Sequence, residues 1–494
     1  MGYQPGIDIE TLPFDYIIVK RNSKYYAYGC KPGLLDFRGD SESEVITAIL
    51  SQYPTFSGTI YSKENGKIMS YDGGVKVTEF PLWKTHPVVP ASVIVYLDGD
   101  YAVAVDGSTK QVIKRSTDHT EVIQAAVDYL STGGKIYIAG GDYTVGSIDF
   151  KGVDYIEIEG CGYKTTLFSN GSDPMFNFSN YSNFVVIRSL RLSALGKAVQ
   201  MIYSFGKLLY AIIENCYFTE IGSKIGVNIG RGVYVVFAGN IIYANRSEKA
   251  NDACDVYADY EVVTNNIFIQ TAGTGDLLST AQVKHAVITN NVFRNTTTSL
   301  INAIFLQSDL GNISDVVIAN NVVDKANIVV RGQTGQAYIA ERILIKNNIL
   351  TNGGNIDVRI LNAVSGDLGK LKDVIIEGNI LDSGQILLQG VQGVRVHHND
   401  VSGGIVSTSP NDNIEIRRNK GYVTENSGTA TITADNTSVT VNHGLAATPT
   451  KVLVTPLGDP GAYWYVANIT STTFDIVLST APASNVTFAW YAEV

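Results

Sequence analysis

A chain of 494 residues with 45% hydrophobic and 17% charged residues is folded, and too long for one ordinary core. It is therefore several domains or a repeat array. A net charge of −10 with no Lys/Arg-rich run argues against nucleic acid or an anionic membrane surface as partner. No apolar run reaches the ~20 residues that span a bilayer, so no membrane insertion is expected.

From the start, MGYQPGIDIETLPFDY lacks the basic-then-apolar pattern of a signal peptide. YIIVKRNSKYYAYG from Tyr16 matches VIVYLDGDYAVAVDG from Val93, and EVITAIL at Glu44 matches EVIQAAV at Glu121, both at an offset of 77. A strand–strand–helix–strand unit thus occurs twice, as a separate N-terminal α/β module over residues 1–90 and a second copy over 91–144. In the second copy, TDHTEVIQAAVDYL (117–130) predicts a helix that covers the end of whatever follows. Thr117 or Asp118 is its N-cap, Glu121 the returning acid of a capping box, and Val122, Ile123, Ala126, Val127 and Leu130 its apolar face. Gly133-Gly134 ends it.

The middle of the chain repeats. VITNNVF, VIANNVV, LIKNNIL and VIIEGNIL align on a single Asn, and the frame runs through Asn240, Asn266, Asn291, Asn321, Asn348, Asn379, Asn399 and Asn419. Cys161, Leu190 and Cys216 hold the same place upstream. From 161 to 419 is 258 residues in ten steps, a mean of about 26. Apolar residues within each unit alternate or run for three to five positions, rich in Val and Ile, and never sustain a helical period. Coils of this length built from short strands close as a right-handed parallel β-helix, assigned to 145–427. The Asn column predicts a buried ladder in which each residue tolerates a left-handed turn and bonds the coils above and below.

After each Asn a later strand aligns as VYAD, LLST, IFLQ, IVVR, IDVR, ILLQ and IVST, from Val256, Leu277, Ile304, Ile328, Ile356, Ile386 and Ile405. Alternation places the second and fourth residues outward. The outer columns then hold Asp259, Thr280, Gln307, Arg331, Arg359, Gln389 and Thr408, with Tyr257, Phe305 and Asp357 beside them. Amides, forks and rings at ~4.8 Å intervals suit a glycan, with Tyr257, Phe305, Gln307 and Gln389 as the binding candidates. A plain solvated face is the competing reading. Two catalytic sets are open. Asp252, Asp255, Asp259 and Glu261 offer a carboxylate pair for glycoside hydrolysis. Asp357 with Arg331 and Arg359 would serve β-elimination. Cys30, Cys161, Cys216 and Cys254 read as buried small side chains, and the scattered histidines give no ligand set, so neither metal nor cofactor is expected. From Gly428 a period-two pattern with frequent turns predicts a small antiparallel sandwich over 428–494.

The stretch TDHTEVIQAAVDYLSTGGKIYIAGGDYTV, followed by NN-containing coils, resembles the pectate-lyase-like superfamily of parallel β-helices, which includes phage tailspikes. The YIIV…YYAYG and VIVY…YAVAVDG modules resemble those preceding β-helices in archaeal surface proteins of that group. TVNHGLAATPTKVLVTPLGDP resembles a C-terminal β domain of phage tail fibres and tailspikes. The resemblance implies a homotrimeric rod on a virion tail or cell surface that binds polysaccharide or a cell-surface glycan along one outer face. Lyases of the group use clustered Asp with Arg or Lys, and tailspike hydrolases use paired Asp and Glu. This chain matches neither set motif for motif, so no role is carried over. The expectation is a carbohydrate-recognising tailspike-like or adhesin-like fibre; a polysaccharide lyase or hydrolase and a non-catalytic spacer are the alternatives.

Overall fold

The computed structural model describes residues 91–494 except 110, 198, 206–207, 223–224, 246–251 and 309, and before them 16–21, 23–29, 35–55, 58–62, 67–72 and 75–81. Cys30, the junction near residue 90 and part of the acidic insertion after Asn245 lie outside the described residues.

The duplicated unit has one topology in both copies. Tyr16–Arg21 pairs antiparallel with Lys24–Gly29 and, after helix α1 (Glu42–Gln52), parallel with Gly58–Ser62. Val93–Asp98 likewise pairs antiparallel with Tyr101–Asp106 and, after α2 (His119–Tyr129), parallel with Gly134–Ile138. The copies then diverge. The first continues antiparallel through Lys67–Asp72 and Val75–Pro81, whereas Gly134–Ile138 pairs parallel with Ile156–Gly160 and so starts a stack.

That stack is a right-handed parallel β-helix with three faces. Face A begins at Gly134–Ile138 and ends at Glu415–Arg417; face B runs from Gly141–Val145 to Asp400–Val401 in eleven strands; face C runs from Ile148–Asp149 to Ile405–Thr408. Val227–Ala238 and Cys254–Thr264 each pass unbroken from face C round into face A. Inward Val, Ile, Leu and Phe fill one continuous core, with Phe268 and Phe293 stacked at 4.7 Å.

The corner between faces A and B carries the asparagines. Asn240 Nδ2 donates to Asn266 Oδ1 at 3.1 Å and to the Ile213 carbonyl at 2.8 Å, while its own N–H donates to Asn266 Oδ1 at 2.8 Å. The same three bonds recur at Asn266, Asn291, Asn321, Asn348, Asn379 and Asn399, each on the next coil. Asn419 has no Asn above it and donates to the carbonyls of Val396 and Arg417. The left-handed turn falls one residue earlier than the sequence suggested. Gly239, Asn265, Asn290, Asn320, Asn347, Gly378, His398 and Arg418 take φ between 54° and 66°, and the ladder residue itself does not. In an Asn-Asn pair the first residue makes the turn and the second makes the ladder. Upstream, Cys161 is exposed and not part of the column. A 3-10 turn, Gly162–Lys164, is inserted there, and buried Thr165 takes the column place beneath Leu190, its hydroxyl donating to the Ile138 carbonyl at 3.0 Å.

Helix α2 covers the open edge of the first coil. Asp118 caps it by accepting from Thr120 N–H at 2.9 Å, while Glu121 pairs with Lys114 and does not complete a capping box. Thr120 Oγ1 accepts from Gly146 N–H, and Gln124 both accepts from Asp149 N–H and donates to its carbonyl. Side chains of the helix thus satisfy backbone groups that an edge strand leaves bare. At the other end, two three-stranded antiparallel sheets enclose Phe474, Phe488 and Trp490. No helix among the described residues is long and apolar enough to cross a membrane.

Candidate functional site

Face C carries the outward residues of interest, in a register that differs from the sequence alignment at two coils. Cys254 pairs with Leu278, Leu278 with Ile304, Ile304 with Ile328, then Ile356, Ile386 and Ile405. The strand at Val256 was therefore set two residues too late and the one at Leu277 one too early. Thr280 consequently points inward and is fully buried. Asp259 lies past the bend into face A, where Lys284 Nζ holds it at 2.7 Å. Tyr257, Gln307, Arg331, Arg359, Gln389 and Thr408 line one outward column; Asp255, Ser279, Phe305 and Asp357 line the column beside it.

Two carboxylates on this face are nearly closed off from water, Asp255 at 4% exposure and Asp357 at 6%. Asp357 is the centre of an ion-paired rung. Arg359 grips it with two bonds, Nε to Oδ1 at 2.6 Å and Nη2 to Oδ2 at 2.7 Å, and Arg331 Nη2 adds a third at 3.1 Å. Both oxygens are taken, so this carboxylate is no base for abstracting a proton. The bond to Asp357 raises the Arg359 pKa. Arg331 also lies over the Phe305 ring, 5.5 Å from its centroid.

Asp255 has carboxylates for company. The carboxylates of Asp252 and Asp276 both bring negative charge against it. Asp252 Oδ1 accepts from Asp276 N–H at 3.1 Å, and Asn302 Nδ2 donates to Asp276 Oδ1 at 2.8 Å. Burial first, then the negative charge of Asp252, pushes the Asp255 pKa up to about 9, with the Tyr257 hydroxyl pulling the other way. Asp255 therefore keeps its proton at neutral pH. Glu261 does not join this group. It points into the core, accepts from Thr280 Oγ1 at 2.9 Å, and burial raises its pKa to about 8. Among the described residues, no three His, Cys, Asp or Glu side chains are grouped to hold a metal ion.

Sequence reasoning missed an aromatic column six residues before Cys161, Leu190, Cys216, Asn240, Asn266 and Asn291. Tyr155, Phe184, Tyr210, Tyr234, Tyr260 and His285 stack at the start of successive face A strands, their ring centroids 4.4–5.1 Å apart. Each inner ring has its faces covered by neighbours, which leaves edges for solvent and makes the column a seam, not a platform for sugar rings. The signal was legible as YIEI, FVVI, YAII, YVVF, YEVV and HAVI.

No protein-family model and no curated protein matches the chain. Among solved structures, it is similar to a mannuronan C-5 epimerase A-module from Azotobacter vinelandii, at 16% identity and TM-score 0.37, over 60% of this chain and 93% of that one. It is also similar to a tailspike of E. coli bacteriophage HK620 in complex with pentasaccharide, at 13% identity and TM-score 0.39, over 76% and 89%. The tailspike of Pseudomonas phage LKA1 gives 12% and 0.37, over 76% and 93%.

Proposed function

We propose that this chain is a carbohydrate-recognising β-helical fibre protein that binds a polysaccharide or cell-surface glycan along face C, in the manner of a tailspike or adhesin on a virion tail or cell surface. The observation that carries the reading is the outward register of Tyr257, Phe305, Gln307, Arg331, Arg359 and Gln389 on one face. The amide and guanidinium donors of Gln307, Arg331, Arg359 and Gln389 stand on four successive coils, with the Phe305 ring beside Gln307 and Tyr257 two coils before it. A glycan array with the full chain tests it. Phe305→Ala is expected to weaken the best ligand about tenfold, since it removes both a ring and the support of Arg331. Unchanged binding would sink the face C assignment.

Asp255 favours a second reading, hydrolysis of the bound glycan. A carboxyl that holds its proton at neutral pH is a general acid for a glycosidic oxygen. Release of reducing ends from a polysaccharide panel is its test.

Association as a homotrimer draws support from face B. Ile267, Val292, Val322, Ile349 and Ile380 are 38–48% exposed and stack in register, one per coil. An aliphatic stripe over five coils is what side-by-side packing of rods would cover. The double variant Val322→Asp/Ile349→Asp is expected to sediment as a monomer where the parent sediments as a trimer.

A further inference from the structure

The corner between faces B and C holds an open surface depression of about 380 Å³ lined by Arg294, Asn295, Thr296, Asp324, Lys325 and Asn352. It lies on a different corner from the asparagine ladder and takes no part in the face C columns. Arg294 and Asp324 sit on adjacent rungs, with Thr351 on the next.

The floor is fixed and its hydrogen bonds are spent. Asn295 is 2% exposed; its Nδ2 donates to the carbonyls of Ser299 and Lys325 at 2.7 and 2.9 Å, and its Oδ1 accepts from Thr297 N–H at 2.9 Å. Asp324 is occupied as well, accepting from Thr351 Oγ1 at 2.9 Å and from Asn352 Nδ2. The two cations differ. Neither Arg294 nor Lys325 forms an ion pair among the described residues, although the carboxylate of Asp324 is within the same lining. Two cations against one carboxylate leave a single positive charge facing a polar depression.

We propose that this pocket binds the carboxylate of an acidic sugar. A single surplus charge matches a carboxylate better than a doubly charged phosphate, which Asp324 would repel. The guanidinium fork of Arg294 fits the two oxygens of a carboxylate, with the Lys325 ammonium as the second contact. The remaining walls are hydroxyl and amide groups with no aromatic ring, which suits a hydroxylated ring and not a base or an acyl chain. The volume accommodates about one monosaccharide. The sugar assignment rests on the carbohydrate reading above; the anion site does not.

The test is a titration of the full-length protein, followed by isothermal calorimetry, with methyl glucuronide, methyl glucoside and inorganic sulfate as separate probes. Glucuronide is expected to bind and glucoside not, at equal concentration. The double variant Arg294→Gln/Lys325→Asn, in which Asn tolerates the left-handed backbone at 325 (φ 55°), is expected to lose about tenfold or more in glucuronide affinity with an unchanged melting temperature. Binding of the best array glycan along face C should persist in Arg294→Gln/Lys325→Asn, which separates failure here from failure on face C. Undiminished glucuronide binding by the double variant overturns the site, as does no binding by the parent. Sulfate that binds as tightly as glucuronide overturns the sugar assignment and leaves an adventitious anion site only.

Discussion

Asp255 and Asp357 stand in the same outward column four coils apart, roughly 19 Å at ~4.8 Å per coil. Both are almost fully buried, yet their chemistry is opposite. Asp357 is ringed by guanidinium groups and fully committed; Asp255 is crowded by carboxyls and holds a proton. Position in the fold gives burial, and the neighbour gives the charge state. One face of a regular scaffold thus carries a rigid, polar rung at one level and a proton donor at another.

The sharpest way to break this contrast is Asp357→Ala. It leaves two guanidinium groups, each about 70% buried, facing one another without their counter-charge. The expected cost is about 3–5 kcal/mol in urea-induced unfolding of the β-helix, because removing one partner of a buried pair leaves the other uncompensated. A loss under about 1 kcal/mol would show that water reaches this rung and that the rung is no rigid part of face C.

A smaller effect comes from pH. Asp255 and Glu261 titrate near 9 and near 8 in the folded chain, against ordinary values of 3.8 and 4.5. Below about pH 4 both states of the protein hold these protons and no penalty arises. As pH rises from about 5 to 8, the unfolded chain gives up protons that the folded chain keeps, so these groups make stability fall. Glu261→Gln keeps the shape and the bond to Thr280 without the titration. It should flatten the decline, adding about 1–3 kcal/mol at pH 8 and almost nothing at pH 4. Equal denaturation midpoints for parent and variant across that range would remove Glu261 from the account.

How much of this was legible in the sequence depended on whether a slip changes the pattern of burial. The asparagine column was readable because a buried amide needs hydrogen-bond partners, and an amide recurring at one place in an apolar frame finds them in its own kind on the next coil. The coils also keep phase over eight repeats. The face C register was readable from Ile304 onward, where each coil supplies the same apolar spacing. It failed at Val256, where Cys254 and Val256 both point inward, so a two-residue slip preserves the alternation. It failed at Leu277 because Leu277 and Leu278 are both fully buried, and a one-residue slip then turned Thr280 outward. Cys161 was misplaced for a related reason: the inserted 3-10 turn moved the column to Thr165, and a small polar residue leaves no mark in an apolar frame. The acid group of Asp252, Asp255 and Asp276 was legible only in part, since Asp276 comes from the next coil and only the stacking brings it in.

The smallest structural effect, and the one that decides most about function, is Asp255→Asn. The parent side chain is already neutral below about pH 8, so an amide of the same shape should change stability by no more than about 1 kcal/mol at pH 7. It should leave glycan binding on face C unchanged as well, since no charge is lost there at that pH. An amide, however, has no proton to give a leaving oxygen. If the bound glycan is cleaved, release of reducing ends should fall about 100-fold or more while binding persists. Binding and cleavage falling together would make Asp255 part of the recognition surface. Cleavage that persists in the amide variant would place the acid elsewhere, and the contrast with Asp357 would then be one of electrostatics alone.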